Sequence, residues 1–437
     1  MKSVAFHTLG CKVNAYETMA MEQSFREAGY EIVEFEGIAD IYIVNTCSVT
    51  NIADRKSRQM LHKAKKNNPD AVVAAVGCYV QAAKEELLKD NAVDLVIGNN
   101  RKNELVSIVE EYIKDNARNN DIVDIAHTNE YEEMKLGTQT EKTRAFIKVQ
   151  DGCNQFCSYC IIPYTRGRVR SRKLKDCINE ITKLAGMGYK EVVLTGIHLS
   201  SYGVDLEEKV SLIDLIEAVN GIEGIERIRL GSLEPRIITE TFTERLEKCY
   251  KVCHHFHLSL QSGCDATLKR MNRRYNSEEY FEKCQMLRER LCDTALTTDV
   301  IVGFPGETEE EFFETKSFLE RVNFYETHIF KYSRRAGTVA DKMENQVPDD
   351  VKSLRSDILL ELDRKHQFEY NSSYLGRVMD VLFEEKDKLG DEEYYVGHTT
   401  NYIKVAVKSE RDITNEIHAV SLVNVYKDRI VKGEIMS

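Results

Sequence analysis

The run Asp151-Gly152-Cys153-Asn154-Gln155-Phe156-Cys157-Ser158-Tyr159-Cys160 sets three thiols at C-x3-C-x2-C spacing, directly after an apolar stretch that reads as a strand. A loop of this kind can wrap three thiolates around one corner of a cubane iron-sulfur cluster. Three ligands leave the fourth iron open, and an open iron can chelate the amino and carboxylate groups of S-adenosylmethionine. One electron then splits that molecule into methionine and a 5'-deoxyadenosyl radical; the cofactor brings the chemistry and the chain brings position. A zinc site is the structural alternative, but it wants a fourth ligand and usually C-x2-C pairs. No second pair follows at zinc-ribbon spacing. Tyr159, beside the last thiol, is placed to lie against the adenine, with plain packing as its alternative.

Cys11, Cys47 and Cys78 make a second set, separated by 36 and 31 residues, about one βαβ unit each. Each follows a predicted strand (Val4 to Thr8, Ile41 to Asn45, Val72 to Val76), so parallel strands deliver all three to one sheet edge, where open α/β sheets bind ligands. Any one of them alone reads as a small buried hydrophobe. Three at equivalent strand ends point to a second cluster with an iron free for an exogenous sulfur. Cys177, Cys249, Cys253, Cys264, Cys284 and Cys292 lack a matching constellation and are expected in the core; Cys249 and Cys253 with His254, His255 and His257 are a conceivable zinc set.

The elements that must position these thiols read as an α/β fold in three parts. Residues 1–135 form an open parallel-sheet α/β domain with a fourth strand at Leu95 to Ile97. Asn116 to Thr143 is polar and reads as a linker. Residues 139–370 carry strands near Phe146 to Val149, Glu191 to Leu194, Arg227 to Leu230, Phe256 to Leu260, Leu296 to Val302 and Thr327 to Phe330, a partial (β/α)6 barrel closed by a helix over Asp349 to Tyr370. Residues 371–437 alternate in short runs and read as a small all-β barrel.

A chain of 437 residues with 42% hydrophobic and 30% charged residues is an ordinary globular protein of several domains. Met1 to Gly10 lacks a secretory signal and no apolar run reaches membrane length, so a cytoplasmic location and no membrane partner are expected. Twelve cysteines in a reducing compartment favour ligation over disulfides. A net charge of -12 leaves only local patches for a polyanion. The densest is Arg166, Arg168, Arg170, Arg172, Lys173 and Lys175, expected to grip RNA phosphates; a second runs Arg55, Lys56, Arg58, Lys63, Lys65 and Lys66, with a solvated helix face as its alternative.

Thr8-Leu9-Gly10-Cys11-Lys12-Val13-Asn14, Asn45-Thr46-Cys47-Ser48-Val49-Thr50, Gly77-Cys78 and the C-x3-C-x2-C loop together resemble the radical S-adenosylmethionine methylthiotransferases, over essentially the whole chain. The resemblance implies one [4Fe-4S] cluster on Cys11, Cys47 and Cys78, a second on Cys153, Cys157 and Cys160 that binds S-adenosylmethionine, and a carboxy-terminal RNA-binding domain of the TRAM type. The Gly-Cys-Lys-Val-Asn form and Arg166 to Arg172 look most like the branch acting on threonylcarbamoyladenosine in tRNA. That branch adds a methylthio group to carbon 2 of the base beside the anticodon; the other branches act on isopentenyladenosine or on a ribosomal-protein aspartate. The implied partners are tRNA, a reducing electron donor and a sulfur source, and no protein acid or base is assigned the C–H cleavage.

Further segments stand just past predicted strands and read as contacts for S-adenosylmethionine: Gly196, Ser232, Glu234, Gln261 and Gly303, whose types allow close backbone approach or hold a ribose or amino-acid end. Tyr332 to Thr338 resembles a family loop, but Arg334 and Ala336 stand where prolines are usual. In residues 371–437 nine Lys or Arg face twelve Asp or Glu, so RNA binding there would rest on a patch, on shape, or on stacking by Tyr394, Tyr395 and Tyr402, which could equally pack the barrel. A non-catalytic redox sensor and a structural RNA-binding protein are the rival classes. The first leaves the cofactor-like loops unexplained and the second leaves both cysteine sets unexplained.

Overall fold

The computed structural model describes residues 2–115, 122–137, 143–427 and 429–436. Its first sheet has the order β2-β1-β3-β4-β5, all parallel: β1 (Ser3–Thr8), β2 (Glu31–Val33), β3 (Ile41–Thr46), β4 (Val72–Gly77) and β5 (Leu95–Ile97). Successive strand side chains point to opposite faces. In β3, Ile41 and Ile43 enter one core with Tyr16, Phe25 and Ile108, while Tyr42 and Val44 enter the other with Leu61 and Tyr79. Covering both faces explains why β3 is buried throughout. The predicted strands stand, and β2, too short to show periodicity, adds an edge.

The second unit joins β6 (Arg144–Asp151), β7 (Arg170–Ser171), β8 (Glu191–Gly196), β9 (Arg227–Leu230), β10 (His255–His257), β11 (Ala295–Val302) and β12 (Glu326–Lys331). The ladders run β7-β6-β8-β9 and β10-β11-β12, and the parallel bridges Ile228 to Val252 and Leu233 to Leu258 link them into a wall of six parallel strands, with β7 antiparallel at the edge. Ile147, Val149, Leu194, Ile228, Leu258 and Val300 face the surrounding helices in one continuous core. Their alternates, including Lys148, Gln150, Glu191, Thr195, Arg229, His257 and Asp299, lie on the opposite, concave face. β10 is shorter than the expected Phe256 to Leu260, because the chain past His257 turns towards β11, with Gln261 N bonded to Asp299 O at 2.8 Å and Gln261 at φ 75°.

The closing helix is Asp349–Ser373, and β13 (Val378–Leu389), β14 (Glu392–Thr399), β15 (Lys404–Val407), β16 (Ile417–Tyr426) and β17 (Ile430–Ile435) form a closed barrel. It docks on the first residues of β6, β8, β9 and β10. Arg229 donates to Glu191 at 2.8 Å and lies 4.7 Å from the Tyr402 ring, which is stacked between His255 and His398; Arg227 donates to His398 O at 2.7 Å and to Asp380 O at 2.9 Å. This corrects the stacking expectation: Tyr394 and Tyr395 are buried and Tyr402 is held in the docking seam. No helix among the described residues is long and apolar enough to cross a membrane.

The expected linker is in part a packed strap. Ile125 and Met134 are buried, Tyr131 donates to Lys148 O at 2.7 Å and Tyr16 donates to Met134 O at 2.7 Å. The remainder of the linker reading, residues 116–121 and 138–142, lies outside the described residues.

Replacing Arg229 by Met would leave Glu191 buried without its main partner. The expected loss is about 3–5 kcal/mol, read as a lower urea midpoint with an unchanged slope.

Candidate active site

Cys11 caps the helix α1 (Lys12–Glu27), Cys47 follows β3, and Cys78 opens the short helix α3 (Cys78–Ala82) directly after β4. The parallel register therefore gathers them at one sheet edge. Gly10 takes φ +99°, and a Cβ there would stand 2.7 Å from Cys47 Sγ, so the Gly10-Cys11 turn needs glycine to bring the first thiol up to the second. Asn14 fastens this corner by donating to Leu9 O at 2.7 Å and Thr46 O at 3.0 Å. Burial pushes the Cys47 thiol up to about 12, and the Cys78 and Cys11 sulfurs add to it while Arg166 opposes. Cys47 and Cys78 are buried and Cys11 is exposed, so the set opens to solvent on one side.

Behind Cys78 is a buried charge network. Arg166 Nε donates to Cys78 Sγ at 3.2 Å, and its two terminal nitrogens bond Glu17 at 2.9 and 3.0 Å, Asp151 at 3.0 Å and Asn14 Oδ1 at 2.6 Å. Lys148 reaches Glu17 and Asp151, each at 2.7 Å, and Lys102 also pairs with Glu17. Burial works to raise Glu17, but Arg166, Lys102 and Lys148 overcome it and hold the carboxyl well below its usual 4.5. With Arg170 and Glu132 counted, four cations face three carboxylates in this pocket.

The C-x3-C-x2-C loop leaves the other side of that network. Gly152 N bonds Asp151 Oδ1 at 2.8 Å, and Gly152 has φ +69° with Arg168 O only 1.8 Å from where a Cβ would stand, so the turn that launches Cys153 admits no side chain. Arg273 donates to Cys157 Sγ at 3.3 Å, to the Tyr275 hydroxyl at 2.9 Å and to Ser259 O at 3.2 Å. Burial raises Cys153 to about 11 and Cys160 to about 12. Tyr159 faces the Phe304 edge at 6.4 Å, in a cluster with Ile301, Met271 and Tyr332.

Most of the expected cofactor contacts gather around this loop. Gly196 ends β8 against the Gln150 side chain. Glu234 accepts from Arg236 at 2.7 Å, and Arg236 reaches Gln155 of the thiol loop at 3.5 Å. Gln261 bridges to Val300, and Gly303 N bonds Glu307 Oε1 at 2.9 Å, which makes Glu307 a loop-holding carboxylate that also takes Arg355 at 2.6 Å. Ser232 lies exposed beyond β9.

The arginine stretch requires a correction. Arg166, Arg170 and Arg172 are buried, so they are out of reach of RNA phosphate. Arg166 belongs to the network above, Arg170 donates to Arg166 O at 2.8 Å and Arg168 O at 3.2 Å, and Arg172 pairs with Glu133 and Glu180. Of the four arginines in the stretch only Arg168 is exposed, with its guanidinium 4.6 Å from the Phe156 ring, while Lys173 and Lys175 at the end of the stretch are also exposed. The carboxylates that claim these arginines come from α1, the end of β6, the strap and the helix Leu174–Gly186, which local sequence spacing cannot reveal.

Sequence reading missed three site residues. Arg273 carries no spacing signal. His198 follows the Thr195-Gly196 turn, is pushed down to about 4 by burial, bonds Ser201 Oγ at 2.6 Å, and leaves its buried Nε2 without a hydrogen bond among the described residues. Arg335, in the Tyr332 to Thr338 loop, donates to Ser48 Oγ at 2.6 Å and Asp54 at 2.5 Å, latching the second unit to the turn after Cys47. Of the remaining cysteines, Cys177, Cys249, Cys253, Cys264 and Cys284 are buried and Cys292 is exposed. The Cys249 to His257 zinc set is dispersed, because His254 bonds Cys292 O and His255 stacks on Tyr402.

Both thiol sets fit iron-sulfur clusters. Each offers three unpaired thiols, with an arginine N–H aimed at one sulfur.

Residues 3–98 match the Uncharacterized protein family UPF0004 and residues 147–319 match the Radical SAM superfamily. The chain is 42% identical, over 100% of its length and 98% of the relative's, to the threonylcarbamoyladenosine tRNA methylthiotransferase MtaB of Bacillus subtilis. It is 35% identical, again over 100% of its length and 98% of the relative's, to a tRNA-2-methylthio-N(6)-dimethylallyladenosine synthase of Clostridium perfringens. Among solved structures, the radical S-adenosylmethionine methyltransferase TsrM of Kitasatospora setae shares the fold at a TM-score of 0.54 and 14% identity, covering 76% of this chain and 75% of its own.

Glu17 gives a pH test. A depressed carboxyl stabilises the fold fully above its unfolded value of about 4.5, and that contribution is lost as pH falls through the folded value. The stability difference between the unmodified chain and Glu17→Gln, taken from urea midpoints, should be largest above about pH 5 and shrink at lower pH.

Proposed function

The chain belongs to the radical S-adenosylmethionine tRNA methylthiotransferase family, and on that premise we propose that it adds a methylthio group to carbon 2 of N6-threonylcarbamoyladenosine beside the anticodon of tRNA. The observation that carries this reading is the shared network: Cys78 touches Arg166, Arg166 binds Asp151, and Asp151 holds the turn into Cys153. Sulfur and substrate radical must meet in one place, and two ligand sets braced on one pair of side chains satisfy that demand. The higher identity to the threonylcarbamoyladenosine enzyme supports the branch.

Cys11, Cys47 and Cys78 would hold one [4Fe-4S] cluster, and Cys153, Cys157 and Cys160 the other. When bound, the clusters and S-adenosylmethionine supply the electron, the alkyl radical and the methylated sulfur. The chain's own part is positional. Arg166 and Arg273 direct N–H groups at ligand sulfurs, while Tyr159 offers its ring to the adenine with Phe304 behind it. Glu234, Gln261 and His198 would face the cofactor's polar end, Gly196 and Gly303 leave room for the Gln150 and Lys352 side chains that pack on them, and Ser232 is left exposed. No side-chain acid or base is asked to break the aromatic C–H bond, which is beyond the reach of a protein base at neutral pH. The reaction calls for a reducing electron donor and a sulfur source, in a cytoplasmic setting, with the three units divided near residues 135–139 and 370–371.

The tRNA grip falls to exposed cations at the rim: Arg168, and Arg55 and Lys56 on the helix α2 (Asn51–Asn67), which make no ion pair among the described residues.

Nucleosides from tRNA of a strain with and without the gene test the reading. The 2-methylthio form of threonylcarbamoyladenosine should vanish with the gene; loss of methylthiolated isopentenyladenosine instead would reassign the branch. Reconstituted protein should hold about eight irons, two cubanes of four. Alanine at Cys153, Cys157 and Cys160 should halve that and abolish 5'-deoxyadenosine. Alanine at Cys11, Cys47 and Cys78 should also halve it, leaving uncoupled cofactor cleavage without methylthiolated product. Arg168→Gln with Arg55→Gln and Lys56→Gln should weaken tRNA binding and flatten the slope of log affinity against log salt, by about 0.9 per lost contact on duplex or about 0.7 on a single strand, with iron unchanged.

A further inference from the structure

We propose that His257, Asp299 and His328 form a divalent transition-metal site of the zinc class inside the parallel-strand barrel, separate from both thiol sets. The three residues come from the adjacent strands β10, β11 and β12, in a register that pairs His257 with Thr297 and Asp299 with His328. Their strand neighbours Phe256, Leu258 and Val300 face the helical core, so the three donor groups share the opposite, concave face. One donor atom from each lies within 4.8 Å of the other two. His257 Nε2 is 3.2 Å from Asp299 Oδ2, and the His257 and His328 rings face each other at 5.6 Å with 21° between their planes.

The surroundings orient these groups as a ligand set. His257 Nδ1 is bonded to Thr297 Oγ1 at 3.0 Å, which fixes the ring and turns Nε2 towards Asp299. That Nε2 is buried and completes no hydrogen bond among the described residues. A ring nitrogen held by an outer partner while the other is left to a cation is the usual arrangement of a metal-binding histidine. His328 is exposed, and the acid beside it, Glu326, approaches no closer than 4.0 Å, so its ring has room to close on an ion held by the other two. Two imidazoles and one carboxylate suit zinc or a neighbouring first-row divalent ion, with a coordination position left open to the barrel interior. Asp299 stands two residues, roughly 7 Å along the strand, before Ile301, which packs on the same Phe304–Tyr332 cluster as Tyr159 of the thiol loop. The site therefore lies deeper in the barrel than the cofactor loop and uses no thiol. Without a metal, the same atoms would be a plain His257–Asp299 pair with His328 stacked alongside.

The test uses the full chain reconstituted with iron and sulfide, washed with chelator and then equilibrated with Zn2+. Parallel zinc and iron analysis should find about one zinc per chain beside an unchanged iron content, and zinc K-edge absorption should show nitrogen and oxygen neighbours at about 2.0–2.2 Å and no sulfur at about 2.3 Å. His328→Ala, at an exposed ring, and Asp299→Asn should each weaken zinc binding at least about tenfold while iron is retained. Absence of zinc from the unmodified chain, sulfur in its shell, or undiminished zinc in both variants would overturn the site.

Discussion

The Glu17 carboxylate lies where Arg166, Lys148 and Lys102 converge, out of contact with water, and the arrangement of both thiol sets depends on its staying ionised. Burying so many charges is costly, and an apolar substitute of the same volume is often at least as stable. What the charges add here is placement. Glu17 sits on α1, whose cap is Cys11; Arg166 reaches Cys78; Asp151 anchors the turn into Cys153. One network thereby fixes three points on two units, and a shift of any member is transmitted to a ligand sulfur.

The second unit is built around the contrast between its two faces. Apolar side chains on one face of each strand pack the helices, which frees the concave face to be polar. At the first residues of the strands that polarity is spent on docking: Arg227, Arg229 and Glu191 meet the carboxy-terminal barrel around Tyr402. Past the strand ends it is used on the thiol loop and the cofactor contacts. Arg335 closes the far side by tying the Tyr332 to Thr338 loop to Ser48 and Asp54, so the departure from the usual prolines in that loop accompanies a latch.

The arginine stretch shows why charge density along a chain is a weak guide to an RNA surface. Arg166 ends the short helix Ile162–Thr165, Arg170 opens β7, and Arg172 follows it, and all three are buried while Arg168 stays outside. Two of the inward guanidiniums find acceptors far away in sequence, Glu17 lying 149 residues from Arg166 and Glu133 lying 39 from Arg172, while Arg170 donates to the nearby Arg166 and Arg168 carbonyls. Arginine suits such buried pairing because it cannot be neutralised and its fork holds two acceptors at once.

Local pattern was sufficient to find the strands of the parallel sheet, the six-stranded wall, the long closing helix and the run of strands at the carboxy terminus, because apolar period and turn residues report them directly. It was also sufficient to single out Cys11, Cys47 and Cys78 as one set, since a parallel βαβ repeat carries equivalent strand ends to one edge, and Cys153, Cys157 and Cys160 as another, since their spacing is local. The tertiary structure alone decided which cations are buried, that part of the polar linker is a packed strap, that Tyr402 is a docking residue, and that His257 meets Asp299 and His328 rather than Cys249 and Cys253. The physical reason is that a side chain's partner and its exposure depend on which distant segment packs against it, and spacing along the chain carries no record of that.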